Sequence, residues 1–147
     1  MKAGMFLPQF GECATKENIL YIAKEAEKEG IDSLWVLDRL LWPLNPKTPY
    51  AATSDGTLPV EYQNVLDPLT TLTYVAGVTE RILLGTSIID MFFQNPVQLG
   101  KDLLHLMFSQ MEGRLLGWGL VGQKMNTKCP AFLTKIKGLE LMNFFKC

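Results

Sequence analysis

The chain has little of what most catalytic and metal-binding chemistry uses. It contains one histidine, His105, in 147 residues, so no site built on paired imidazoles is available, and a lone histidine beside leucines is first of all a packing residue. Its three cysteines, Cys13, Cys129 and Cys147, have no C-x-x-C spacing and indicate neither a metal site nor a disulfide framework. No apolar run approaches the ~18 residues of a membrane span, and Met1 to Phe10 lacks the charged and long apolar regions of a signal peptide. The 14 basic and 15 acidic residues leave a net charge of -1, with no basic cluster before residue 101 to attract nucleic acid. Repeats and low-complexity segments are also missing. These absences lead us to expect a cytoplasmic protein with no nucleic-acid or membrane partner.

What is present is a regular alternation of strand and helix signals. Ala3 to Pro8 is a short apolar run ended by proline, which suits a strand buried on both faces, as in a parallel sheet. Thr15 can cap a helix whose apolar positions Ile19, Ile22, Ala23 and Ala26 fall on one side and whose charges fall on the other, and Gly30 stops it. Cys13 then lies in the first βα loop as an ordinary thiol. Ser33 to Leu37 is a second apolar strand. Asp38 and Arg39 follow at its end, where charge is tolerated because the strand has left the core.

From Leu41 to Gln63 the composition turns to Pro, Asn, Gly, Thr and Tyr, a loop of a length more often functional than idle. Asp67 and Pro68 supply an N-cap and a proline at the first helical position, followed by the buried stripe Leu69, Leu72, Val75 and Ala76. Ile82 to Ile89 is a third strand, and Asn95 with Pro96 opens a third helix through Val97, Leu99 and Leu103. Strands each followed by a helix imply a parallel sheet, either doubly wound or closed into a (β/α)8 barrel; periodicity does not choose between them.

Four segments bear a family resemblance: MFLPQFG from Met5, IAKEAEKEGIDSLWVLDRLLWP from Ile22, DPLTTLTYVAGVTERILLGTSI from Asp67, and NPVQLGK from Asn95. Over residues 1 to 101 the chain resembles the bacterial luciferase-like oxidoreductases, which use a reduced flavin or deazaflavin. The resemblance implies the N-terminal portion of a TIM barrel, about three to four βα units, incomplete because a whole barrel needs about 250 residues. It implies FMN or coenzyme F420 as cofactor, a small-molecule substrate, hydride transfer or oxygen activation as chemistry, and often homo-oligomeric assembly.

It also implies that Pro8, Gln9, Ser87 and Ile88 face the cofactor and that Asp38 and Arg39 act at the substrate. A non-proline cis peptide is expected at Ser87 to Ile88, behind the ring. Several deazaflavin enzymes of this kind carry histidine where this chain has Arg39, so the resemblance does not extend to proton transfer there, while a guanidinium can still pair with an anionic substrate or a phosphate. Trp35 and Trp42 read as packing residues.

After residue 101 the resemblance stops in this reading frame. The segments that normally follow, of the type ATLDVLSNGR, GLGLGW, SKDEY and RADEF, reappear when the coding sequence is read one base out of step. Met and Trp have single codons, so five shifted residues are forced: Val from Met107 with Phe108, Gly from Met111 with Glu112, Gly from Trp118 with Gly119, and Glu from Met125 with Asn126 and again from Met142 with Asn143. All five match those segments. Residues 102 to 147 are thus expected to be an out-of-frame tail rather than a domain, the alternative being a genuine tail of different sequence.

The Gly117, Gly119 and Gly122 match to G-x-G-x-x-G lacks the strand–turn–helix context of a dinucleotide loop. The chain alone is expected to be a truncated, inactive member of an oxidoreductase family; the alternative is a non-enzymatic fragment that only associates with other chains.

Overall fold

The structure is a computed structural model and describes residues 2–109 and 115–120. Three helices form where capping chemistry and apolar spacing coincide. In α1, Lys16–Lys28, the Thr15 side chain accepts the Asn18 N–H at 3.2 Å. The helix ends in two crossed bonds, Gly30 N–H to Glu27 O and Ile31 N–H to Ala26 O, with Gly30 at φ +78°. This Schellman closure needs a left-handed residue, which glycine adopts without Cβ strain. In α2, Pro68–Ala76, Asp67 Oδ1 accepts the Thr70 N–H at 2.7 Å. In α3, Pro96–Ser109, Asn95 Oδ1 accepts from Val97 and Gln98.

Four strands, β1 Gly4–Phe6, β2 Ser33–Val36, β3 Leu83–Ile89 and β4 Leu115–Leu120, pair in parallel in the order β1-β2-β3-β4. This order, together with the position of the helices, decides what periodicity left open. Leu34, Val36 and Leu84 from the strands form one buried cluster with Ile19 and Ala23 of α1, Leu72 and Val75 of α2, and Leu106 of α3. All three helices therefore cover the same face of a sheet whose strands follow chain order. A doubly wound sheet reverses its order and carries helices on both faces, whereas a barrel does neither.

The other face carries Gly4, Ser33 and Trp35. Trp35 Nε1–H donates to Ser33 Oγ at 3.0 Å, and a Cβ placed on Gly4 would meet that oxygen at 2.6 Å. Phe6 on β1 is 53% exposed, a large apolar group for which the described half of the sheet supplies no core.

Some boundaries shift from those expected. β1 stops at Phe6 rather than Pro8: Leu7 makes the last bond to β2, to Trp35 O, and the Gln9 N–H then closes a turn onto Leu7 O. Val97, expected in the α3 stripe, is 64% exposed, and the burial falls on Leu99, Leu103 and Leu106. His105 is exposed on α3 rather than packed. The helix runs through residue 101 without interruption and β4 follows it. Gly117 and Gly119 lie within that strand rather than at a strand-to-helix turn. Gly122, Cys129, Cys147 and the shifted positions at Met111, Met125 and Met142 lie outside the described residues. Among the described residues no helix is long and apolar enough to cross a membrane.

Candidate functional site

The carboxyl ends of β1, β2 and β3 are tied together by two side chains. Gln9 is fully buried just beyond β1. Its amide donates to Leu37 O at 2.7 Å and Leu66 O at 2.8 Å, and its Oε1 accepts the Leu37 N–H at 2.6 Å. The Gln9 backbone adds a bond from the Leu66 N–H. The side chain thus binds the β1 exit, the β2 exit and the end of the long loop, with both of its N–H donors committed to backbone carbonyls. Gln9 thus braces the mouth at the β1 exit, and Pro8 beside it is half-buried.

Asp38 makes the second tie. It stands two residues past the end of β2, half-buried, and its Oδ2 accepts the Asp90 N–H at 3.0 Å from just beyond β3. Burial raises the Asp38 carboxyl above the usual aspartate range; the Asp90 N–H opposes this, and the Asp67 and Asp90 charges add to it. A carboxylate with a raised pKa holds its proton more tightly folded than unfolded, so its ionisation opposes folding at neutral pH. Asp38→Asn keeps an acceptor for the Asp90 N–H and removes the charge. It is expected to stabilise the chain by about 0.5 kcal/mol at pH 7, modest because solvent screens a half-buried group. The gain closes as pH falls through the raised native value, which urea unfolding at pH 7 and pH 3.5 measures.

Arg39 points elsewhere. Its guanidinium carbon lies 5.2 Å from the Tyr62 ring centroid and 5.9 Å from that of Tyr50. Both tyrosines come from the long loop, which the sequence marks as functional by its length but not by these residues. Asp90 was missed as well, although it carries the same signal as Asp38, a carboxylate at the end of a buried strand.

Ser87 and Ile88 are both half-buried near the end of β3. The register of β3 against β4 is irregular between Gly85 and Thr86 and again between Thr86 and Ile89, as at a bulge. The expected cis peptide is not: no peptide bond among the described residues is cis. Ser87 Oγ–H donates to Val36 O at 3.1 Å, so a trans chain already satisfies the side chain without the 3–4 kcal/mol of a cis bond.

The site residues therefore converge as Asp38, Ser87 and Ile88 at the ends of β2 and β3, with Arg39 to one side and Gln9 beneath. A groove of about 390 Å³ lined by Ile19, Leu66, Thr70 and Tyr74 lies on the helical side and includes none of them. No group of three His, Cys, Asp or Glu among the described residues is placed to hold a metal ion.

The fold has known counterparts. The coenzyme F420-dependent tetrahydromethanopterin reductase of Methanopyrus kandleri superposes with a TM-score of 0.57 at 21% identity, over 84% of this chain and 28% of its own. The oxygenating constituent of 3,6-diketocamphane monooxygenase of Pseudomonas putida, in complex with FMN, gives 0.60 at 16% identity, over 85% and 31%. A monooxygenase of Streptomyces bottropensis gives 0.61 at 20% identity, over 85% and 35%. The chain spans about a third of the length of these structures, and its architecture is the N-terminal portion of their TIM barrel. No curated protein matches it. The luciferase-like monooxygenase profile matches residues 1–122, beyond residue 101 and through β4. The chain belongs to the luciferase-like monooxygenase family.

Proposed function

We propose that this chain carries the first part of the mouth of a flavin- or deazaflavin-dependent oxidoreductase acting on a small molecule. The observation that carries the reading is the tie between Asp38 and the β3 exit, which fixes a half-buried carboxylate beside the irregular stretch from Thr86 to Ile89. The flat ring of the cofactor is assigned to this place, where Ser87 and Ile88 are half-buried and the serine hydroxyl is already turned to Val36 O. Reduced FMN or F420, when bound, would supply the hydride or the oxygen-activating electrons. The chain's own residues do the rest. Ser87 and Ile88 back the ring, Pro8 and Gln9 hold the β1 exit in register, and Asp38, with its raised pKa, holds or releases a proton at its carboxyl. The parent enzyme is taken to be cytoplasmic and homo-oligomeric.

The 147-residue chain itself is read as a truncated, inactive form, with residues 1–101 in frame and residues from about 102 read one base out of step. The family match through residue 122 is compatible with this. LLGWGL, the sequence of β4, is apolar and glycine-rich in the present frame, as is the GLGLGW strand it would displace, so it can fill the same place beside β3. The second reading, a fragment that only associates with other chains, draws on the exposure of Phe6 on the sheet face opposite the helices.

Fluorescence titration with FMN and with F420 tests the proposal. The chain with its frame restored is expected to bind one cofactor per chain, and the 147-residue chain neither. Cofactor binding by the 147-residue chain would remove the claim of inactivity; failure of the restored chain to bind either cofactor would remove the proposal.

A further inference from the structure

Arg39 is held in an unusual way for a half-buried cation. Tyr50 and Tyr62 meet edge to face, with centroids 6.3 Å apart and planes at 83°, and the guanidinium lies within cation–π distance of both rings. Phe10 braces Tyr62 from the first strand's loop, 5.4 Å away at 74°. The loop carrying Tyr62 is itself anchored there by the Gly11 N–H to Asn64 O bond and the Phe10 to Val65 bridge. The clamp is therefore built from two separate segments of chain.

What the clamp leaves open is the hydrogen-bonding edge. Carboxylates stand next to its members in the chain, Asp38 beside Arg39 and Glu61 beside Tyr62, yet Asp38 accepts the Asp90 N–H. The ion pair found among the described residues is Lys28 with Glu25. Among the described residues Arg39 makes no hydrogen bond, and no buried side-chain nitrogen lacks a partner, so its N–H groups face solvent. A guanidinium has five donors in a rigid fork that matches carboxylate and phosphate. With two tyrosine rings within cation–π distance, it loses rotamer freedom before any ligand arrives.

We propose that Arg39 is the anion receptor of this mouth, binding a carboxylate or phosphate of the incoming ligand through its free edge while Tyr50 and Tyr62 hold it in place. The inference rests on reading the mouth as the ligand-bearing face and specifies the class of ligand: one with an oxyanion near the β2 exit. It assigns the loop's tyrosines a positioning role.

The test uses the side-chain Nε–Hε resonances of the 147-residue chain, which has three arginines, Arg39, Arg81 and Arg114. Inorganic phosphate and, separately, acetate are titrated in at ionic strength held constant with chloride. The expected result is a saturable shift of Arg39 with a Kd on the order of millimolar, accompanied by the Tyr50 and Tyr62 ring protons, while Arg81 stays nearly still. Arg39→Lys, which keeps the charge and loses the fork, weakens the tyrosine response roughly tenfold.

Equal drift of Arg39 and Arg81, no saturation, or an unchanged tyrosine response in Arg39→Gln would overturn the proposal. FMN and riboflavin, which differ by the phosphate, assign the source in the chain with its frame restored, the form expected to bind flavin. An Arg39 shift with FMN alone places the anion on the cofactor, and phosphate still saturating Arg39 beside bound flavin places it on the substrate. Loss of flavin binding with phosphate binding intact sinks the cofactor reading and leaves the receptor standing.

Discussion

Replacing Gln9 with leucine is expected to destabilise the chain by about 3–5 kcal/mol, the largest effect of any single polar substitution in it. The side chain is fully buried and makes three hydrogen bonds, to Leu37 O, Leu66 O and from Leu37 N–H. Leucine fills a similar volume, so little cavity forms. The loss comes from the backbone groups left behind, each of which carries about 1–3 kcal/mol when stranded away from water. Two of the three belong to Leu37, directly before Asp38, so the β2 exit loosens together with the fold. Urea unfolding gives the magnitude, and amide exchange at Leu37 gives the location. A loss below about 1 kcal/mol, or an unchanged Leu37 amide, would mean that Gln9 does not hold the mouth.

Glu27→Ala is expected to cost about 1–2 kcal/mol from the opposite end of the sheet. Glu27 Oε1 accepts three consecutive backbone N–H groups, from Glu80 at 2.9 Å, Arg81 at 2.6 Å and Ile82 at 2.9 Å, and so fixes the turn that feeds β3. Burial pushes the Glu27 carboxyl up, but the three N–H donors and the Arg81 charge outweigh it, and the net shift is downward. A depressed native pKa means that this stability is present above the ordinary glutamate range and is lost as pH falls through the native value. The wild-type advantage over Glu27→Ala should therefore be full at pH 7 and closing in acid. It is kept small because the carboxylate is largely solvated. Glu27→Gln, which retains the acceptor oxygen without the charge, should lose about half as much. A gap between wild type and alanine that does not change with pH would contradict the charge-assisted account.

What was legible in the sequence followed from local chemistry. Thr15, Asp67 and Asn95 cap the helices that their types and spacing announce, and Gly30 ends α1 with the positive φ that stops a helix. The apolar runs became parallel strands because each is buried from the helical side. Strand order was not legible, since it depends on which face the helices share.

At the site, Asp38 could be found because charge at the end of an apolar strand is itself a signal. Gln9 could be located but not understood: three bonds to Leu37 and Leu66 join positions 28 and 57 apart in the chain, and no local pattern encodes them. The Tyr50 and Tyr62 clamp escaped for the same reason, its partners being Arg39 and Phe10 across a loop of irregular backbone. The trans bond at Ser87 to Ile88 corrects an expectation taken from the resemblance alone.

The account's central claim is that the described mouth is the first part of a larger one, whose remainder is encoded one base out of step. The most direct test is the nucleotide sequence through codon 101 and beyond the present stop. Restoring one base near Gly100 or Lys101 is predicted to give DVLSNGR, GLGLGW and SKDEY, followed by a long open frame. A present frame confirmed in independent reads, and a protein mass matching the chain through Cys147, would contradict it and make residues 102–147 a genuine part of the protein.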